Sequence, residues 1–324
     1  VDDVEMGITH VVRAEEHLPN TPRQVFIFEG LEAALPVFAH LPVVAEPGSR
    51  VKLSKRKLDK YLKNPEFAEL YEHGRRIAGR LGLPVAAETF NPVIVDFYRI
   101  AGFLPEALLN YLLLLGWALD DRTEILDRAE RIAHFDLARV NKAAASFDPR
   151  KLMAFQERYM QALDVERRVE LCLPFVERAG WIASPPAPAE RALVAGIVAA
   201  AGDRIKVAGD VLDYEEFFVE DEKLTYDERA FDKRIRNAPE AAGLLRELRD
   251  ELAGLQDFAA PSLEAFVQAF VERRGLTLGA VVHAVRVAVS GKAIGFGLFD
   301  ILALLGRARV LARIEGALAR AGAS

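Results

Sequence analysis

The sequence predicts a mixed fold, in which α/β structure up to about Leu53 is followed by mostly helical structure. A β-branched run at Ile8–Val12 is typical of a buried strand, and Phe38–Val44 predicts a second short strand. From Met153 onward the apolar spacing is almost entirely that of helices, without tandem repeats. A chain with strands at one end and helices through the rest is expected to hold more than one domain.

A cluster of charged residues, Arg13–His17, follows the first predicted strand. Asn20 or Thr21 can then cap a helix, and Pro22 stands where a missing N–H costs nothing, so a helix is expected through Val25–Leu35. The carboxyl ends of strands in α/β sheets are where ligands bind, which makes the cluster a candidate site. Taken alone, it also fits an ordinary surface turn.

A basic run at Arg50–Lys57, here called the lysine loop, carries Lys52, Lys55, Arg56 and Lys57 around Ser54. A proline and a glycine precede it, so we expect a mobile loop. Ammonium groups on such a loop suit a polyphosphate because they can follow negative charge as it moves during a reaction. The four cations alone also fit a solvated basic loop.

Two helices are predicted after the lysine loop. Phe67–Leu81 has helical apolar spacing, and its arginines are expected to form a solvated face. The second helix begins at Pro105, with Glu106 near the positive end of its dipole. Because this helix is apolar nearly all round, it is expected to be buried on most sides.

Length and composition favour a globular protein of two or three domains, since 324 residues with 51% hydrophobic and 28% charged residues can build sizeable cores. The longest apolar run, Tyr111–Leu119, is too short to span a bilayer, and no signal peptide is visible. A cytoplasmic protein without a membrane partner is therefore expected. The single cysteine, Cys172, excludes a disulfide framework or a cysteine-based zinc site within this chain and is predicted to be a buried small hydrophobe.

The net charge of −6 is unevenly distributed. Residues 50–80 carry ten Lys/Arg against four Asp/Glu, and residues 286–324 carry six against two. Residues 210–260 carry seven against fifteen. Two basic regions on either side of an acidic one suit a long polyanion contacted at separated places, although the middle region also fits an ordinary acidic surface.

Several blocks resemble one family in the same order along the chain. Lys52–Arg56 reads Lys-Leu-Ser-Lys-Arg, which resembles the second signature loop of class I aminoacyl-tRNA synthetases in the form found in glutamyl-tRNA synthetases. Val1–Gln24 resembles that family nearly residue for residue. Four later blocks resemble it as well: Tyr98–Trp117, Phe135–Leu152, Gly202–Phe218 and Arg286–Leu311.

The resemblance implies a glutamate–tRNA ligase, which uses ATP with Mg²⁺ to make glutamyl-adenylate and then charges tRNA(Glu). Arg13 is implied to hold the carboxylate of L-glutamate, a task that suits the paired donors of a guanidinium. Lys55 is implied to be the catalytic lysine that stabilises the pyrophosphate leaving group, and Lys52 to support it. The implied ATP-binding residues are Glu16, His17, Lys52, Leu53, Ser54, Lys55 and Arg56.

The resemblance also implies tRNA contacts. Arg139 and Lys142 match positions near tRNA phosphates. Arg286, Leu298 and Phe299 match positions near anticodon bases, where unstacked bases meet arginine and apolar side chains. Gly295-Phe296 replaces the usual hydroxyl–proline pair, so Phe296 is expected either to stack on a base or to be buried.

The implied domain organisation begins with the end of a Rossmann-type catalytic domain at residues 1–57. A family-atypical insertion is expected at 58–97, a connecting domain that contacts the tRNA stem at 98–152, and a helical anticodon-binding region at 153–324 with an internal boundary near 220–240. The protein is expected to be a monomer.

The family's first signature, with the two histidines that grip ATP, does not occur in these 324 residues, so the chain is expected to be a fragment of a longer protein. Two alternatives remain open at this point. One is a relative that also charges tRNA for glutamine with glutamate. The other is a non-catalytic tRNA-binding fragment.

Overall fold

The computed structural model describes residues 1–238 and 240–322, and the chain divides into two compact units, Val1–Leu163 and Asp164–Ser324. The helices of the first unit are α1 (Asp2–Glu5), α2 (Thr21–Gly30), α3 (Leu58–Tyr61), α4 (Pro65–Arg80), α5 (Val95–Ala101), α6 (Pro105–Leu114), α7 (Arg128–His134) and α8 (Pro149–Ala162). Its strands are β1 (His10–Ala14), β2 (Val37–Leu41), β3 (Val44–Ala45) and β4 (Ala145–Ser146). Short 3₁₀ turns occur at Glu15–Asn20, Lys55–Lys57 and Leu137–Arg139.

Strands β1 and β2 are parallel and joined through α2, with His10 opposite Val37 and Ala14 opposite Leu41. Their carboxyl ends therefore lie side by side, as expected for an α/β unit that binds ligands at that edge. The prediction that the first strand is buried is wrong, because His10 and Val12 are exposed and the other residues of β1 are only half-buried. Among the described residues β1 pairs only with β2.

A second parallel pair fixes the base of the lysine loop. In this pair β3 lies beside β4, with Ala45 opposite Ser146, and Ala45 also forms an antiparallel bridge to Lys52. The loop is therefore attached at its base to a segment about a hundred residues later in the sequence.

Helix α4 confirms the predicted helix after the lysine loop. Asn64 caps it, and Phe67, Leu70 and Ile77 are buried. Gly74 is required by packing, because a Cβ there would lie 2.5 Å from the Phe97 ring.

Helix α6 begins at Pro105 as predicted, and Asn110 and Tyr111 are buried. The expectation that it is buried on most sides is wrong, since Leu109 is 58% and Leu112 52% exposed. Helix α6 packs mainly against α8, and one apolar side remains open.

The second unit is helical, as predicted. Its α-helices are α9 (Val165–Arg178), α10 (Pro188–Ala201), α11 (Glu228–Phe231), α12 (Ala241–Ala253), α13 (Ala260–Arg273), α14 (Leu278–Ser290) and α15 (Leu298–Gly322), the last interrupted at Gly306. A π-helical turn spans Asp232–Arg236, and 3₁₀ segments span Gly202–Arg204, Ala208–Phe217 and Asp221–Lys223. Within the part of the chain that the structure describes, no helix is both long and apolar enough to span a membrane.

Arg313 on α15 connects that helix to α14 and to the 3₁₀ segments Ala208–Phe217 and Asp221–Lys223. Its buried guanidinium donates to the carbonyl oxygens of Val289 at 2.6 Å and Glu216 at 2.7 Å, and its Nε lies 2.7 Å from Asp221 Oδ1. A buried guanidinium persists only when its donors are satisfied in this way.

Candidate functional site

Arg13 lies near the carboxyl end of β1, and its side chain is fixed by neighbouring elements. Its Nη2 donates to Thr21 Oγ1 at 2.8 Å, and its Nε donates to His40 Nε2 at 3.3 Å. The guanidinium also lies 5.5 Å from the centroid of the Phe38 ring. A guanidinium held from one side in this way keeps further donors available for a carboxylate.

Glu16 and Lys52 form an ion pair that joins the turn after β1 to the lysine loop. The hydrogen bond and charge of Lys52 lower the pKa of the Glu16 carboxyl, and His17, whose Nε2 lies 3.8 Å from Glu16 Oε1, has a smaller effect in the same direction. Both partners are substantially exposed, so a polyanion and a ribose can compete for them.

Four of the predicted site residues meet at one cavity of about 750 Å³ in the first unit. Arg13, Glu16 and Lys52 line it together with Leu53. The remaining lining is mostly apolar and comes from β2, β3, α5, α6 and the start of α8. The cavity therefore combines a guanidinium, a carboxylate and an ammonium group at the carboxyl ends of parallel strands.

Lys55 and Arg56 do not line this cavity. They line a second cavity of about 420 Å³ with Asp59 and Glu88, and both side chains are exposed. The short 3₁₀ turn at Lys55–Lys57 is capped by Ser54, whose Oγ accepts from the Arg56 N–H at 3.4 Å. The lysine loop thus presents its cations to two different sides.

The predicted phosphate contacts in the first unit lie on an exposed segment. Arg139 stacks on Trp117, with its guanidinium carbon 5.6 Å from the ring centroid, and donates to the Leu119 carbonyl oxygen. Both Arg139 and Lys142 are exposed. Arg139 therefore has a fixed orientation while remaining accessible.

In the second unit the predicted anticodon residues are divided between the core and the surface. Arg286 is half-buried and donates to the Phe296 carbonyl oxygen at 2.7 Å, and burial lowers its pKa. Leu298 is buried and Phe299 half-buried. These three residues therefore lie mainly beneath the loop at residues 291–297, where they support it, and contribute less to its exposed surface.

The alternatives stated for Phe296 are resolved in favour of burial. Its ring stacks on Phe217 at 5.6 Å between centroids and contacts Tyr214 at 5.4 Å. Lys292 fixes the other end of the 291–297 loop through Glu216 at 2.5 Å. Ile294, at the tip, is 85% exposed and was not singled out from the sequence.

Sequence reasoning also missed four residues that organise the site: Thr21, His40, Glu46 and Tyr61. Thr21 was interpreted only as a helix cap, and His40 lay within the second predicted strand without an assigned role. Glu46 and Tyr61 lie outside the signature run, and no local pattern indicates that they meet. Their roles depend on contacts between segments that are distant in sequence.

Family models match almost the whole chain. The catalytic domain of class I tRNA synthetases (E and Q) matches residues 1–79 and 90–154, and an anticodon binding domain matches residues 167–318. The first match includes most of the segment 58–97 that was expected to be atypical, and residues 80–89 lie outside it.

Similar proteins agree with these matches. The chain is 36% identical over 317 residues to the glutamate–tRNA ligase of Moorella thermoacetica, covering 98% of this chain and 57% of the relative. It is 35% identical over 326 residues to that of Desulforudis audaxviator, covering 100% of this chain and 58% of the relative. The chain thus spans less than two thirds of the length of these relatives.

Solved structures show the same relationship. A glutamate tRNA ligase from Elizabethkingia meningosepticum, in complex with its amino acid, superposes with a TM-score of 0.73 at 30% identity, over 98% of this chain and 58% of that one. The glutamate–tRNA synthetase of Elizabethkingia anophelis gives a TM-score of 0.70 at 29% identity, again over 98% of this chain and 58% of that one. The fold and the family matches therefore place the chain among the class I tRNA synthetases of the glutamate and glutamine group. Within that class the chain belongs to the glutamate–tRNA ligase family.

Proposed function

We propose that this chain forms one side of the ATP and glutamate site of a glutamate–tRNA ligase, together with its tRNA-binding region. In this reaction a carboxylate oxygen of glutamate attacks the α-phosphorus of ATP, the bond to the β-phosphate breaks and pyrophosphate leaves. A ribose hydroxyl of tRNA(Glu) then attacks the acyl carbon, and AMP leaves. Mg²⁺ enters with ATP as part of the substrate.

The observation that carries the proposal is the convergence of Arg13, Glu16 and Lys52 on one cavity at the carboxyl ends of β1 and β2. Arg13 binds the carboxylate of glutamate, and Glu16 accepts from the hydroxyl groups of the ribose. Lys52 leaves Glu16 to engage the phosphates when ATP enters.

Lys55 and Arg56 supply the remaining positive charge of the proposed ATP site from the second cavity, and Leu53, Ser54 and His17 complete the set of proposed ATP-binding residues. Charge accumulates on pyrophosphate as the bond between the α- and β-phosphates breaks. Cations that engage the leaving group at that stage act on the transition state more than on bound ATP. Lys55 is therefore the residue that we propose to be catalytic, supported by Lys52.

The tRNA is held at separate places in this proposal. Arg139 and Lys142 contact phosphates, and the region around Arg286, Leu298 and Phe299 reads the anticodon. The same residues are compatible with a relative that charges tRNA(Gln), because discrimination rests on few anticodon contacts. We further propose that the protein is cytoplasmic, since a single cysteine fits a reducing compartment, and that it is a monomer.

A second activity is favoured for the 324-residue chain alone, namely tRNA binding without adenylation. The first family signature is not in this sequence, and transition-state stabilisation by grouped residues is strongly non-additive. The purified chain is therefore expected to show no glutamate-dependent exchange of pyrophosphate into ATP. Exchange at a rate near that of an intact ligase would contradict this.

Lys55→Ala in a full-length ligase that contains this sequence tests the main proposal. We expect glutamate-dependent ATP–pyrophosphate exchange to fall by about 100-fold or more, as for the loss of one electrostatic contact to a transition state. The affinity for tRNA should change far less. Lys63→Ala is the matched control, an exposed lysine outside the loop that should leave exchange unaltered. Equal exchange by the Lys55 variant and the parent would overturn the catalytic assignment.

A further inference from the structure

The carboxylate of Glu46 lies behind the lysine loop and is only 2% exposed. It accepts hydrogen bonds from Lys57 Nζ at 3.0 Å, from Lys60 Nζ and from the Tyr61 hydroxyl at 3.3 Å. The hydrogen bonds from Lys60 and Lys57 lower the pKa of this carboxyl. Glu46 is therefore a charged acceptor that collects three donors from the stretch immediately after the signature run.

The backbone of Glu46 fixes the base of the same loop. Its N–H donates to the Val51 carbonyl oxygen at 2.7 Å, and its own carbonyl oxygen accepts from the Ser49 N–H at 3.0 Å. Ser146 Oγ donates to that carbonyl oxygen at 3.0 Å and accepts from the Gly48 N–H at 2.9 Å. One residue thus ties together the two sides of the loop and the strand β4.

Hydrogen bonds through Tyr61 connect Glu46 to Ser54, in the middle of the signature run. The Tyr61 hydroxyl accepts from the Ser54 N–H at 2.8 Å while donating to Glu46. The ring of Tyr61 is buried and packs 5.2 Å from that of Phe67, so the hydroxyl has a fixed position. The conformation of Ser54, next to Lys55, therefore depends on the carboxylate of Glu46.

The arrangement also separates the cations of this region into two groups. Lys57 and Lys60 are engaged by Glu46, whereas Lys55 and Arg56 keep exposed side chains at the 420 Å³ cavity. Without the Glu46 carboxylate, Lys57 and Lys60 would lose their ion-pair partner and would repel each other and the neighbouring cations.

We propose that Glu46 is a positioning residue, which holds the lysine loop in the conformation that presents Lys55 and Arg56 to a polyphosphate. The polyphosphate part of this inference rests on the proposed function, whereas the control of loop conformation does not. The two parts are tested by separate measurements.

The loop conformation is measured by hydrogen exchange of the amides of residues 50–57 and by the rate of tryptic cleavage there, using the 324-residue chain. Glu46→Gln and Tyr61→Phe are compared with the parent, and Glu72→Gln is the control, since it breaks an exposed ion pair with Arg75 on α4. We expect exchange and cleavage to rise roughly tenfold in Glu46→Gln, because a charge-assisted acceptor of three donors is lost. Tyr61→Phe should raise exchange mainly at Ser54, and Glu72→Gln should change neither rate.

The positioning role is then separated from simple charge by titrating inorganic pyrophosphate and following protection of the loop. Glu46→Gln removes a negative charge, so electrostatics alone predicts tighter binding of pyrophosphate. If Glu46 positions the loop, Glu46→Gln should instead bind pyrophosphate more weakly, and a higher pyrophosphate concentration should be needed to protect the loop by half.

Parent-like exchange and cleavage in both Glu46→Gln and Tyr61→Phe, or tighter pyrophosphate binding by Glu46→Gln, would overturn the inference. If Glu46→Gln does not fold, parent-like exchange at Ser54 in Tyr61→Phe alone overturns it. The loop could also loosen as expected in the variants while pyrophosphate fails to protect it in the parent. That result would support the control of loop conformation by Glu46 and would overturn the proposed polyphosphate site.

Discussion

Lys52 follows Glu16 by 36 residues, and the two side chains form an ion pair beside the guanidinium of Arg13. The residue types alone indicate cations suited to phosphate, but they do not show that one cation is already paired. In the proposed ATP site, the nucleotide would therefore compete with Glu16 for Lys52, whereas no such ion pair holds the exposed side chain of Lys55 among the described contacts. The two lysines of the signature therefore differ in their surroundings, since Lys52 is paired with Glu16 and Lys55 lines the second cavity.

Cys172 gives a prediction at the same scale. The thiol lies fully buried on α9, and burial, helped by the charge of Asp210, raises its pKa to about 12. Since the thiolate is the reactive form, iodoacetamide at pH 8 should leave the folded chain unmodified and should label it once in denaturing urea.

Intact mass measured over time checks this expectation. Cys172→Ala supplies the background, because no other cysteine is present. Labelling of the folded chain at the rate of a free thiol would show that the Cys172 thiol is accessible and reactive, and would contradict this prediction.

Among the elements, the 291–297 loop shows how a surface is presented by a fixed base. Gly291 has φ of 73°, and a Cβ there would lie 2.0 Å from the Thr225 carbonyl oxygen, so only glycine fits. Lys292 and Phe296 anchor the two ends, and Arg286 holds the Phe296 carbonyl oxygen. Exposed Ile294 is thereby kept at the tip, where an unstacked base can contact it.

Replacing Arg286 by alanine should narrow the difference in affinity between tRNA(Glu) and the same tRNA with an altered anticodon. The physical reason is the loss of the hydrogen bond that fixes the loop, in addition to the loss of any direct contact with a base. Fluorescence titration with both tRNAs measures the ratio of dissociation constants.

Arg139→Ala is the matched comparison in the first unit. Its expected contact is a phosphate, so it should weaken both tRNAs about equally and leave their ratio unchanged. An Arg286 variant that weakens both tRNAs equally would place this residue among the general phosphate contacts instead.

Over the whole chain, the sequence predicted the elements with strong local signals. Pro105 opened α6 as expected, and the helical pattern after Met153 was confirmed. The predicted burial was wrong for Val12, Leu109 and Leu112, which are exposed. Hydrophobicity shows that a residue favours a buried position, but it does not show which neighbouring residues are present to cover it. The hydrogen bonds that connect Glu46, Tyr61 and Ser54 could not be predicted from the sequence either, since Glu46 and Tyr61 belong to no motif.

The last prediction concerns tRNA binding by the 324-residue chain as a whole. Despite a net charge of −6, residues 50–80 and 286–324 have a local surplus of positive charge, so the chain should bind tRNA(Glu). Phosphate contacts release counterions, and the affinity should therefore fall by at least about tenfold between about 50 and 200 mM salt. Lys142→Ala should lower the slope of log affinity against log salt by about one if that lysine contacts a phosphate. Filter binding across a salt series measures both quantities, and an affinity independent of salt would contradict the proposed phosphate contacts.

The same assay tests anticodon reading when tRNA(Glu) is compared with the same tRNA carrying an altered anticodon. Equal affinity of the parent chain for the two tRNAs would mean that burying Phe296 has removed anticodon reading from the 291–297 loop.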